Sequence, residues 1–158
     1  MDRKELELRD ARSGDLSVIA SWIPDAEACL RWGGPDLSFP FAEGSLEREL
    51  LVSERTSRCL VHPDARDLPL AFGQVWTREV GARHLGRIVV DPSHRGFGLG
   101  HALVTRLVDE VRVDDDVAWI TLRVFADNFP ALAVYRQAGF VDVPAMREDD
   151  ALFMRRPA

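Results

Sequence analysis

Between positions 87 and 101 the chain reads Arg-Ile-Val-Val-Asp-Pro-Ser-His-Arg-Gly-Phe-Gly-Leu-Gly-His, the stretch best equipped for chemistry. An apolar run of the kind buried on both faces stops at Pro92. Arg95, Gly96, Gly98 and Gly100 then lead directly into a helical pattern. Glycines let successive N–H groups turn the same way into an anion nest. The start of the helix adds unpaired N–H donors and partial positive charge, and Arg95 adds a full one. Together these describe a pyrophosphate site. Two common nucleotide patterns fail against it. A P-loop needs Gly-Lys-Ser/Thr, and this chain has Gly100-His101-Ala102. A dinucleotide fingerprint needs Gly-x-Gly-x-x-Gly, whereas the spacing here is Gly96-x-Gly98-x-Gly100. Val124-Phe125 also stand where the ribose-binding acid would be.

The elements that must hold this loop follow from periodicity and punctuation. Residues 6–12 alternate apolar and polar as a short strand. Asp15 is placed to cap a helix carrying Leu16, Ile19, Ala20 and Trp22, stopped by Pro24. Asp25 caps a second helix bearing Cys29, Leu30 and Trp32, ended by Gly33-Gly34-Pro35, and a third spans 45–54. Strands are predicted over 57–62, 70–77 and 83–91, the first two flanking a turn at 63–67. A helix over 98–113 shows Leu99, Leu103 and Leu107 in one row beside Val104, Val108 and Val111. A strand over 117–124 follows, so strand, helix and strand make a right-handed parallel crossover. The Asp114-Asp115-Asp116 run between them is a solvated turn. Asn128 and Pro130 open the next helix and Gly139 closes it, before strands over 140–146 and 151–155. The expected fold is mixed α/β: one domain over 1–158, a mostly antiparallel sheet with one parallel crossover, and about four flanking helices.

The Arg-Gly-x-Gly-x-Gly pattern after a Val-x-Pro strand end resembles the pyrophosphate cradle of the GNAT superfamily of acetyl-CoA-dependent N-acetyltransferases. A second stretch, Asn128-Phe-Pro-Ala131-Leu-Ala-Val-Tyr135-Arg-Gln-Ala-Gly139-Phe140, is similar to that family's Asn-x-x-Ala-x-x-x-Tyr-x-x-x-Gly-Phe signature at every defined position. The resemblance implies that the strand before the cradle splays from its parallel neighbour. The backbone of Ile88, Val89 and Val90 would then face the pantetheine arm. Arg95, Gly96, Phe97, Gly98, Leu99 and Gly100 would face the pyrophosphate, and Asn128 would contact the cofactor. Tyr135, the only tyrosine, would protonate the leaving thiolate, a task a positioned phenol can perform. Many relatives carry a Glu as general base where His84 stands here, and others a Glu where this chain has Arg123. That leaves His84, through a water or directly, to deprotonate the amine, with Glu79 in reserve. The activity implied is transfer of acetyl, or a larger acyl group, from acetyl-CoA to a primary amine on a small molecule or peptide. The alternatives are a non-catalytic acyl-CoA-binding module, an enzyme acting on a protein amine, and a nucleotide binder using the same nest. Many relatives dimerise, so a homodimer fits the resemblance.

Composition is consistent with this class. The 158 residues carry 20 Lys and Arg against 26 Asp and Glu, a net charge of −6, which disfavours general nucleic-acid binding and mildly suits a cationic substrate. Cys29 and Cys59 form no Cys-x-x-Cys pair, the four histidines do not cluster, and no metal site is expected. No signal peptide and no run of about 20 apolar residues is visible, so a cytoplasmic, non-membrane protein is expected. Trp22, Trp32, Phe39 and Phe41 precede the sheet. They either line an aromatic acceptor pocket or seal the core under a long loop.

Overall fold

Seven strands form one sheet in the computed structural model, which describes residues 1–158. They are β1 (Glu7–Asp10), β2 (Arg55–Val61), β3 (Ala71–Glu79), β4 (Ala82–Val90), β5 (Trp119–Phe125), β6 (Val141–Asp142) and β7 (Ala151–Pro157). Their order across the sheet is β1-β2-β3-β4-β5-β7-β6. Every neighbouring pair is antiparallel except β4 and β5. Five helices, one more than expected, flank it: α1 (Ser13–Ser21), α2 (Ala26–Gly33), α3 (Ser45–Leu50), α4 (Leu99–Val111) and α5 (Phe129–Gln137). The crossover helix α4 buries both expected rows, Leu99, Leu103 and Leu107 with Val104, Val108 and Val111, against Leu85, Ile120 and Leu122 of the sheet. On the opposite face α1 and α3 press Leu16, Ile19, Leu46 and Leu50 against Cys59, Phe72 and Val89. Both cysteines are buried and free.

Three local expectations need correction. Asp15 is not the residue before α1 but lies inside its first turn, where it accepts the Arg12 N–H at 2.7 Å and both Arg9 nitrogens at 2.6 and 2.8 Å. A buried carboxylate needs such a partner, and Arg9 supplies it. Helix α3 stops at Leu50, four residues early, because Leu51 leaves the helical backbone region. The strand expected over 140–146 shrinks to Val141–Asp142: Pro144 has no N–H to continue a ladder, and a short 3₁₀ turn replaces it.

The β4 strand carries an irregularity that the sequence does not announce. Phe72 pairs with Val89 and Gln74 with Gly86, so three residues of β4 span what two of β3 span. This β-bulge places Arg87 at φ +50°, in the left-handed region. Three hydrogen bonds offset that cost. Trp32 Nε1 donates to the Arg87 carbonyl at 2.9 Å, Arg87 Nη1 to Gln74 Oε1 at 2.9 Å, and Arg87 Nε to the Gly33 carbonyl at 3.2 Å. Gln74 is fully buried and also donates to the Leu50 carbonyl and Ser57 Oγ, both at 2.8 Å. After the bulge β4 leaves its parallel neighbour, since pairing with β5 ends at Leu85 opposite Leu122. Replacing Gln74 by Leu should therefore leave buried partners unsatisfied and lower stability by about 2–3 kcal/mol in a urea unfolding curve. An unchanged midpoint would mean that the bulge is held without Gln74.

Candidate active site

Where β4 and β5 part, a cleft of about 760 Å³ opens along β4 and runs onto the starts of α4 and α5. Ile88, Val89, Val90, Arg95, Gly96, Gly98, Leu99, Gly100 and Asn128 line it, as expected for the cradle. Phe97 does not; its ring is 63% exposed. The loop has two glycines at positive φ, Gly96 at +85° and Gly98 at +76°. None of the backbone N–H groups from Gly96 to His101 meets a protein acceptor, so all six are free for an anion. A Cβ at Gly98 would also stand 2.3 Å from Nη1 of Arg3. Arg106 holds that N-terminal segment on α4, donating to the Arg3 carbonyl at 2.7 Å and the Leu6 carbonyl at 3.1 Å. Arg3 thus brings a second guanidinium to the cradle, a contribution with no signal in local spacing. His94, tied to Asp91 at 2.9 Å, and His101 line the same cleft.

A second pocket, about 520 Å³, lies on the other side of the parted strands. Its walls include Trp32, Gly33 and Gly34 from the end of α2, Trp76 and Arg78 of β3, His84, Gly86 and Arg87 of β4, and Arg123 and Phe125 of β5. Gly86 is required by close approach, since a Cβ there would stand 2.3 Å from the Trp76 ring. Ile88, Asn128 and Tyr135 line both cavities and so stand where they meet.

A model of the acetyltransferase (GNAT) family matches residues 22–140. The chain belongs to the GNAT family. Among characterised proteins it is 36% identical over 81 residues to the ribosomal protein bS18-alanine N-acetyltransferase of Escherichia coli K12, covering 46% of this chain and 54% of that one. It is 28% identical over 149 residues to the mycothiol acetyltransferase of an Arthrobacter species, covering 86% and 46% respectively. The matches thus span about half the length of these relatives. The fold matches that of spermidine N-acetyltransferase from Vibrio cholerae in complex with CoA and spermine, with TM-score 0.77, 20% identity, and 98% and 96% of the two chains covered. It also matches an aminoglycoside acetyltransferase in complex with coenzyme A, with TM-score 0.73, 22% identity, and 96% and 94% coverage.

Tyr135 is buried on α5, its ring edge-on to Phe140 at 6.2 Å between centroids. Burial pushes its phenol up to about 12, so it stays protonated at neutral pH. Asn128 caps α5, its Oδ1 accepting the Ala131 N–H at 3.3 Å, while its side chain borders both cavities. His84 is buried in the pocket wall, its ring 4.9 Å from that of Trp76, and its Nδ1 shares a 2.8 Å hydrogen bond with Thr121 Oγ1. Burial, with the positive charges of Arg78 and Arg123, lowers its pKa to about 3. Glu79, the reserve base, is exposed at the end of β3 and lines neither cavity. Arg123 is paired with Glu148. Of the early aromatics only Trp32 reaches the pocket. Trp22 is core, and Phe39 and Phe41 stack edge-on at 5.4 Å beside it. No three His, Cys, Asp or Glu side chains gather to hold a metal ion, and no helix is long and apolar enough to cross a membrane.

The lowered pKa of His84 has a sign that can be measured. Between about 3 and 6.5 the unfolded chain holds a proton on this residue that the folded chain does not, so stability is lost as pH falls through that range. From pH 7 to pH 5 the wild type should lose about 2 kcal/mol more than His84→Gln in urea unfolding. Equal losses would mean that His84 titrates normally.

Proposed function

We propose that the chain is an acetyl-CoA-dependent N-acetyltransferase that moves the acetyl group to the primary amine of a small molecule by direct attack. One observation carries this reading: the donor cleft and the acceptor pocket meet at Tyr135. The co-substrate supplies an acetyl group activated as a thioester. Six free N–H groups, Arg95 and Arg3 suit its pyrophosphate. The edge of β4 beyond Leu85, which has no strand partner toward β5, suits the amides of its pantetheine arm. Asn128 borders the junction and orients what lies there.

Tyr135 acts as the proton donor to the departing sulfur. A thiol has a pKa of about 8.5 in water against about 10 for a phenol; exclusion of water raises both, so the step the proton must climb stays near its solution size. His84 works as a neutral imidazole. With a pKa of about 3 it holds a proton poorly, so it accepts a hydrogen bond from the attacking nitrogen or an intervening water, and the proton passes on to solvent. The named relatives act on acceptors as different as a ribosomal protein, mycothiol and spermidine. The acceptor must therefore be read from this pocket, whose volume suits a small molecule. A non-catalytic acyl-CoA binder would have no need of a phenol at the junction.

Tyr135→Phe keeps the ring packing and removes the proton donor, so kcat should fall by about 10²–10⁴ while acetyl-CoA affinity stays within twofold. A kcat within a factor of three of wild type would remove Tyr135 from the chemistry.

A further inference from the structure

The protein as a whole is acidic, but its acceptor pocket is not. Five guanidiniums, those of Arg31, Arg55, Arg78, Arg87 and Arg123, stand on the pocket wall, and Asp36 is the single carboxylate there. Arg31 and Arg123 are tied to Asp127 and Glu148 behind the wall. Counting those two acids as well still leaves two positive charges. Arg55, Arg78 and Arg87 have no carboxylate partner at all. They come from three adjacent strands, so the sheet itself converges them. Arg55 sits 4.9 Å from the centroid of the Trp76 ring and Arg87 5.8 Å, which fixes both heads against one indole without satisfying their charge. Burial first, then the charges of Arg78 and Arg123, oppose protonation of His84 inside the pocket.

We infer that the acceptor is a small primary amine that also carries an anionic group, a carboxylate or a phosphate, held by the Arg55, Arg78 and Arg87 wall while the nitrogen points to Tyr135. This rests on the acetyltransferase reading and gives it a substrate class. A guanidinium fork recognises either anion in the same way; the Arg55 and Arg78 heads have no hydrogen-bond partner in the protein, while Arg87 spends Nε and Nη1 on Gly33 and Gln74 and adds its charge. A polycation would meet repulsion from the same wall. The field also favours loss of a proton from the bound ammonium, which complements the weak basicity of His84.

The test is acetylation of matched pairs with one member anionic: 4-aminobutyrate against butylamine, and 2-aminoethyl phosphate against ethanolamine, with spermidine as the polycation. The same protein samples are titrated with CoA. At least about tenfold higher kcat/KM for the anionic member of one pair is expected, about the worth of one charge-assisted hydrogen bond. Which pair responds distinguishes carboxylate from phosphate. In the Arg55→Ala/Arg78→Ala variant the preference should disappear with CoA affinity unchanged. Equal turnover within both pairs, including none, or a preference for spermidine, overturns the inference while CoA binding remains. Loss of CoA binding in the wild type would instead overturn the acetyltransferase reading itself.

Discussion

A strand in the middle of a sheet has its N–H and C=O groups taken on both sides and offers no edge to a ligand, yet the second half of β4 has no strand partner toward β5. The left-handed backbone at Arg87 resolves this conflict. One extra residue in β4 against β3 turns the strand away, and pairing with β5 ends at Leu85. The free edge, the cleft along it and the pocket across from it all follow from that departure. Because a non-glycine residue at φ +50° is costly, the conformation must be held from outside. Trp32 and Gly33 of α2 and Gln74 of β3 hold it, so the end of α2 is fastened to the bulge that it helps to define.

The same arrangement sets the electrostatics. The cleft concentrates unpaired N–H groups and the Arg95 guanidinium, with Arg3 against Gly98, and so suits an anion. The pocket across from it gathers arginines from β2, β3 and β4 around a buried imidazole. Desolvation moves the titratable groups at this site in the directions that keep them neutral: the Tyr135 phenol upward and the His84 imidazole downward. In the proposed mechanism these two, as neutral proton donor and neutral hydrogen-bond acceptor, face a positively charged wall. Under that proposal, proton removal from an amine would depend on the field of the pocket more than on a strong base.

Much of this was legible in the sequence because it rests on local rules. The glycine spacing of the cradle, the Asn128 cap, the closing Gly139 and the apolar rows of α4 are set by neighbours within a few turns, and each stands in its expected place. What was missed depends on contacts between distant segments. The bulge at Arg87 needs Gln74 and Trp32, and Arg3 reaches Gly98 only because Arg106 fastens the N-terminus to α4. Asp15 has a capping residue's composition but a partner, Arg9, on the preceding strand. The early aromatics share a residue type but not a fate, since Trp32 alone is turned toward the pocket by its bond to the Arg87 carbonyl. The positive charge of the pocket is likewise invisible in a chain with net charge −6.

The most direct measurement is the thermal unfolding midpoint with acetyl-CoA, CoA or NAD in large excess. A ligand at about 100 times its dissociation constant adds roughly 2.7 kcal/mol, which for a domain of this size raises the midpoint by about 5–10 °C. A rise of that size with acetyl-CoA and with CoA, and none with NAD, is the expected result for a cleft that takes a pyrophosphate and a pantetheine arm. No rise with either coenzyme A species, or an equal rise with NAD, would contradict the assignment of the cleft.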